Sequence, residues 1–152
     1  HRDRMLILAL DQITDPQNVG AILRSAAAFG ADAVIVPDRH TPETSGAMAK
    51  AASGAIETVH MVRPTNLVRA LRTLKLSGFW VVGLDVNASS PIGTMDLPDK
   101  CILAFGAEGR GLRRLTHDAC DLLASIPTTD AIQSLNVSAS AAIALYEWNR
   151  NR

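Results

Sequence analysis

The sequence predicts an α/β domain: a mostly parallel sheet of about six strands flanked by helices. Three observations predict it. Short apolar runs alternate along the chain with stretches whose apolar residues recur at helical spacing. The runs are apolar along their whole length, as strands covered on both faces are. Polar, glycine-rich segments follow several of these runs, at the sheet edge where α/β domains gather their ligands. With 152 residues, 47% of them apolar, the chain can bury one sizeable core as a single domain.

The elements follow in order. Met5 to Leu10 is a compact apolar run, and Asp11 to Gln17 supply turn-prone polar residues and a proline, so a buried strand feeds a loop. Val19, Ile22, Leu23, Ala26, Ala27 and Phe29 then recur at helical spacing, giving a helix from about Asn18 to Phe29 with Gly30 as its stop. Ala33 to Val36 is a short strand ended by Pro37, and alanine-rich Thr44 to Ser53 is helical. Thr58 to Val62 is a strand, Asn66 to Leu76 a helix and Phe79 to Leu84 a strand. A linker rich in Ser, Pro, Gly and Asp runs from Asp85 to Asp99. Strands at Cys101 to Phe105 and Leu122 to Ile126 flank a short helix near Leu112 to Ala119. The last helix runs from Asn136 to about Trp148, with Val137, Ala141, Ala144, Leu145 and Trp148 as its apolar stripe.

Composition narrows the function by exclusion. Lys and Arg number 15, as do Asp and Glu, so overall charge gives no long-range attraction for nucleic acid. Local basic groups exist: Arg110, Arg113 and Arg114 in one, and Arg63, Arg69, Arg72 and Lys75 in another. Solvated helix faces explain each group, taken alone, at least as well. His1, His40, His60 and His117 match no metal spacing, and neither a P-loop nor a nucleophile elbow is present. Cys101 and Cys120 sit beside apolar residues without the spacing of a redox or zinc motif, which reads as inert thiols in a reducing compartment. With no membrane-length apolar stretch and no signal peptide, the expected location is the cytoplasm. The chain begins at His1 without an initiator methionine, which suggests an excised domain or an incomplete sequence.

Three segments carry the chemistry: Asp15-Pro16-Gln17-Asn18-Val19-Gly20, Gly106-Ala107-Glu108-Gly109-Arg110-Gly111 and Gln133-Ser134-Leu135-Asn136-Val137. The glycines of the second permit close backbone approach, but their spacing is not that of a dinucleotide loop, and an ordinary turn explains them about as well. Gly20 and Arg24 are four apart on a face that can look back toward the loop. An arginine near a helix start opposes the helix dipole, and a bound phosphate or carboxylate would justify it; a solvated arginine is the alternative. Asn18, Ser134 and Asn136 stand at helix starts, where capping is explanation enough for each taken singly. Glu108 either braces its loop or orients Arg24, Asn18 or a ligand.

These segments resemble, in order and separation, the motifs of the SpoU or TrmH-type RNA ribose 2'-O-methyltransferases of the SPOUT superfamily. The first motif is similar to residues 15–26 and continues through Phe29-Gly30. The second is similar to residues 105–112, and the third to Ile126-Pro127 with Ser134-Leu135-Asn136-Val137-Ser138. Lys50 to Glu57 with Arg63 to Leu67 is similar to the RlmB type, which modifies a guanosine of 23S rRNA; tRNA guanosine methyltransferases are the nearest alternative. The resemblance implies a C-terminal trefoil knot, which general connection rules would not have suggested. It implies S-adenosylmethionine as cofactor, contacted by Gly106, Ile126 and Leu135 together with Gly109 and Ser134 of the same loops. It implies a homodimer with Arg24 near the partner's cofactor, an RNA substrate, and no metal. Arg24, Asn18, Glu108 and Asn136 become the expected catalytic set. Arg24 clamps a phosphate and steadies developing oxyanion charge, because a free arginine stays protonated and is a poor base. After Ile126-Pro127 relatives have Met and a small residue, whereas this chain has Thr128, Thr129 and Asp130. Larger members carry an N-terminal L30-like RNA-binding domain, which is absent from residues 1–152. Two rival readings remain: a silent RNA-binding homologue, and a nicotinamide oxidoreductase, which would need a dinucleotide loop at Asp11 to Asn18.

Overall fold

Apolar runs with both faces buried assemble here into a six-stranded, wholly parallel sheet. The computed structural model describes residues 3–36, 46–132 and 134–150. The strands are β1 (Met5–Asp11), β2 (Ala33–Ile35), β3 (His60–Val62), β4 (Trp80–Leu84), β5 (Lys100–Gly106) and β6 (Leu122–Ala124), in the spatial order β3-β2-β1-β5-β4-β6. The helices are α1 (Pro16–Ala28), α2 (Gly46–Ala52), α3 (Leu67–Leu76), α4 (Arg114–Ala119) and α5 (Val137–Arg150).

Strand alternation explains the two cores. Leu6, Leu8, Leu10, Leu103 and Phe105 point into one layer with α1, α2 and α5. Ile7, Ala9, Ile102 and Ala104 point into the other, with Leu67 and Leu71 of α3 and Ala119 of α4. Each fully buried leucine contributes roughly 1.5–3 kcal/mol relative to exposure, so β1 and β5 are the apolar spine of the domain.

Several boundaries differ from expectation. Helix α1 begins at Pro16, because Asp15 caps it by accepting from Gln17 N at 2.8 Å; Asn18 therefore lies inside the first turn. Asp11 is the last residue of β1, paired in register with Gly106, and not the start of a loop. Residues 55–57 form a 3₁₀ turn ahead of β3, and β6 ends at Ala124 with Ser125 bridged to Pro91. Pro37 and the residues 44–45 assigned to the second helix lie outside the described residues, as does Gln133.

The order places a switch point between β1 and β5. From β1 the chain moves out through α1 toward β2 and β3; from β5 it moves the other way through α4 to β6. Loops diverging from adjacent strand ends leave a crevice between them. The chain then returns from β6 at the sheet edge to lay α5 against α1 and β5. Trp148 Nε1 donates to Pro98 O at 3.0 Å and Arg150 Nη2 donates to Gly93 O at 3.1 Å, while Val137 N donates to Glu108 at 3.2 Å. The last helix thus touches the connections on both sides of β5, having crossed back between them.

Candidate active site

At the crevice, the three segments singled out in the sequence meet. Asn136 Nδ2 donates to Asn18 Oδ1 at 3.1 Å, joining the start of α5 to the first turn of α1. Asn136 Oδ1 accepts from Ser138 N at 2.8 Å and from the Ser138 hydroxyl, so the residue also caps its own helix. Glu108 reaches from the β5 loop to accept the main-chain N–H of Val137. Its carboxylate thereby sits at the positive end of a 14-residue helix. Capping and site-building are the same hydrogen bonds here.

The glycine loop earns its composition. A Cβ on Gly106 would lie 2.0 Å from the carbonyl carbon of Gly111 and 2.3 Å from Leu112 N, because the loop folds back on its own stem. Gly111 N closes the turn on Ala107 O at 2.8 Å, and Gly109 and Gly111 have φ of 76° and 68°. Space beside Gly109 and Gly111 is open, so main-chain groups there are approachable. Ile126 and Leu135 are half-buried, Ile126 against the layer that holds α5; Ser134 is exposed and makes no hydrogen bond among the described residues. Thr128, Thr129 and Asp130 are exposed, with Thr129 Oγ1 accepting from Ala131 N at 3.4 Å.

One expectation needs correction. Gly20 does not share a face looking toward the loops: it is buried under α2, where a Cβ would be 2.4 Å from Met48 O. Arg24 is exposed on α1, and within one chain no hydrogen bond or ion pair joins it to Glu108, Asn18 or Asn136.

Asp11 and Arg113 were missed. Asp11 Oδ2 accepts from Arg113 N at 2.9 Å and Oδ1 from Arg113 Nε at 2.7 Å, with the carboxylate wholly buried. A charged residue closing an apolar run is the available signal. In sequence Arg113 stands with Arg110 and Arg114, where a solvated helix face explains the group at least as well as a site.

Among the described residues no group of three His, Cys, Asp or Glu could hold a metal, and no helix is long and apolar enough to cross a membrane. An apolar groove of about 470 Å³ lies elsewhere, between β1–β3 and α3, lined by Ile7, Ile35, Val62, Arg69 and Leu74 among others. It shares no residue with the three segments.

Comparison with known proteins identifies the family. Residues 5–146 match the SpoU rRNA Methylase family. The chain is 46% identical over 147 residues to the 23S rRNA (guanosine-2'-O-)-methyltransferase RlmB of Neisseria meningitidis, covering 97% of this chain and 59% of that protein. It is 48% identical to RlmB of Nitrosomonas europaea, covering 95% and 56%. Among solved structures, the SpoU methyltransferase AviRb from Streptomyces viridochromogenes in complex with AdoMet superposes with a TM-score of 0.91 at 27% identity, covering 99% of this chain and 61% of that one. The AdoMet-bound rRNA methyltransferase from Sinorhizobium meliloti gives 0.90 at 29%, covering 98% and 57%. The chain therefore spans less than two thirds of each of these relatives. It belongs to the SpoU rRNA Methylase family, in the SpoU/TrmH branch of the SPOUT superfamily, and has that superfamily's parallel sheet and C-terminal knot.

Proposed function

We propose that this domain transfers the methyl group of S-adenosylmethionine to a ribose 2'-oxygen of RNA, its target a guanosine in large-subunit 23S-type rRNA. The observation that carries the reading is the hydrogen-bonded meeting of three remote segments, Asn18 with Asn136 and Glu108 with Val137, at the switch point of the sheet. The RlmB relatives, named for a 23S rRNA guanosine, support the choice of RNA.

The residues fit the cofactor. The loop of residues 106–111 offers open main-chain groups at Gly109 and Gly111. Leu135, two residues before the Val137 that Glu108 holds, supplies apolar surface for an adenine ring, and Ile126 after β6 supplies more. Ser134 adds a hydroxyl on the same loop. When bound, the cofactor supplies an activated methyl group on a sulfonium. The chain's task is to hold a 2'-hydroxyl in line with it, which makes the reaction effectively intramolecular. Asn18 and Asn136 orient one another at that edge, and Glu108 fixes the cofactor loop to the start of α5.

Arg24 is the residue assigned to the substrate: its guanidinium grips an RNA phosphate and lowers the energy of the developing oxyanion, while phosphate or solvent takes the proton. Because the exposed Arg24 side chain has no hydrogen bond or ion pair to the described residues of its own chain, the reading makes the domain a homodimer, with Arg24 serving the partner's site. Exposed Ile143 and Tyr146 on α5, beside α1, supply apolar surface for that interface.

The test supplies the full-length protein with labelled S-adenosylmethionine and separate ribosomal and transfer RNA, then maps the labelled ribose. Label on a 23S guanosine is expected; label only on transfer RNA would reject the substrate and keep the chemistry. No label from a folded protein that binds RNA would favour a silent homologue. Arg24→Ala is expected to lower turnover by at least about 10²-fold, the scale of losing an oxyanion donor, with cofactor affinity unchanged by calorimetry. Loss of both together would assign Arg24 to folding.

A further inference from the structure

Among the described residues, Asp11 is the only charged residue that is buried, at 0% exposure. Burying a carboxylate is costly and a well-packed apolar residue is commonly no worse for stability, so its presence calls for a purpose beyond the core. Its position supplies one. The main chain of Asp11 is paired with Gly106, the residue at which the glycine loop leaves β5. Its side chain receives both N and Nε of Arg113, the residue at which that loop enters α4. One residue thus holds both stems of the loop. Gln12, next along the chain, has φ of 62°, a left-handed turn that starts the path toward Asp15 and Asn18.

We propose that Asp11 is a positioning residue, which through Arg113 keeps the loop of residues 106–113 preformed and in fixed register with the turn of residues 12–15 that leads into α1. This rests on the methyltransferase reading for its consequence, and on the geometry alone for its mechanism. A preformed loop avoids the ordering cost that weakens binding: a loop competent about a tenth of the time binds about tenfold more weakly.

The experiment compares wild-type full-length protein with Asp11→Asn, Arg113→Ala and Arg113→Lys. Arg113 is half exposed and its main-chain N still donates to Asp11 after truncation, so Arg113→Ala removes no core side chain, and Arg113→Lys keeps a cation beside the buried carboxylate should either stronger variant fail to fold. S-adenosylmethionine affinity by calorimetry is expected to fall about tenfold in Arg113→Ala and Asp11→Asn, and less in Arg113→Lys, which keeps the charge but loses the fork. The cofactor KM should rise in step, with kcat at saturation nearly constant, a split that general destabilisation does not produce. Hydrogen exchange of amides 107–112, measured without cofactor, should quicken in the same order while amides of β1 and β5 stay protected. Wild-type affinity and unchanged exchange in a folded Arg113→Ala protein would overturn the proposal. Failure of wild type to bind the cofactor would sink the methyltransferase reading instead, and the exchange result would still decide the role of Asp11.

Discussion

Cys101 lies on β5 among the side chains that face α5, and burial there pushes its thiol from 9.0 up to about 12, with Arg4 pulling weakly the other way. Cys120 is pushed up to about 12 as well, chiefly by burial, and its Sγ donates to Thr116 O at 3.3 Å. Both therefore stay protonated near neutrality, in keeping with unreactive thiols. The raised value also fixes a pH dependence. Between pH 9 and 12 the unfolded chain has lost the Cys101 proton and the folded one keeps it, so stability present below pH 9 drains away as pH rises. The slope reaches at most about 1.4 kcal/mol per pH unit for one group. Cys101→Ala is expected to flatten the alkaline fall of urea-unfolding stability relative to wild type. Parallel curves would mean that the thiol is not desolvated. Apolar flanks point to burial of both thiols, yet only Cys101 is buried and Cys120 is half-buried; the turn-prone run after β1 likewise points to a loop at Asp11. A strand's end is set by its partner: Asp11 belongs to β1 because β5 extends to Gly106 opposite it, and no feature local to residues 11–17 reveals that pairing.

The elements themselves were legible where a long periodic stripe or a full apolar run defined them: α1, α3, α5, β1, β4 and β5 stand within a few residues of expectation. Short edge elements were not. The strand expected from Thr58 begins at His60 because residues 55–57 close a 3₁₀ turn, with Thr58 N and Val59 N both donating to Ala55 O. Motif membership concealed another kind of role. Gly20 sits in the first site motif, yet it is where α1 and α2 come together, a Cβ falling 2.4 Å from Met48 O and 2.7 Å from Ala51 Cβ. Gly20→Ala gains about 1 kcal/mol of helix propensity but forces the two helices apart, at about 1–3 kcal/mol. The expected net is a loss of up to about 2 kcal/mol, read as a lower melting temperature with normal contact between Asn18 and Asn136. A more stable Gly20→Ala protein would show that α2 yields without cost.

At the scale of the whole molecule, one chain brings together Asn18, Glu108 and Asn136 but leaves Arg24 outside their hydrogen-bonded contacts. A single sequence does not join residues that would meet across a symmetry axis, and the proposed placement of Arg24 in a partner's site comes from the family resemblance. If a two-fold dimer completes each site, every pocket uses the cofactor loop of one subunit and the guanidinium of the other. Two inactive variants then restore one another. Arg24→Ala has an intact loop, and Gly106→Ala, whose added methyl would collide with Gly111, has an intact Arg24. Random exchange makes about half the dimers mixed, and each mixed dimer has one complete pocket of two, so about a quarter of wild-type turnover should return. No recovery between variants that demonstrably exchange subunits would place Arg24 in its own chain's site. An interface variant supplies the converse: Tyr146→Asp, on exposed α5 surface packed edge-on to Phe29 at 6.3 Å, should yield monomers by light scattering. Those monomers should retain the sheet by circular dichroism and lose turnover, because a folded domain lacking its mate lacks the arginine.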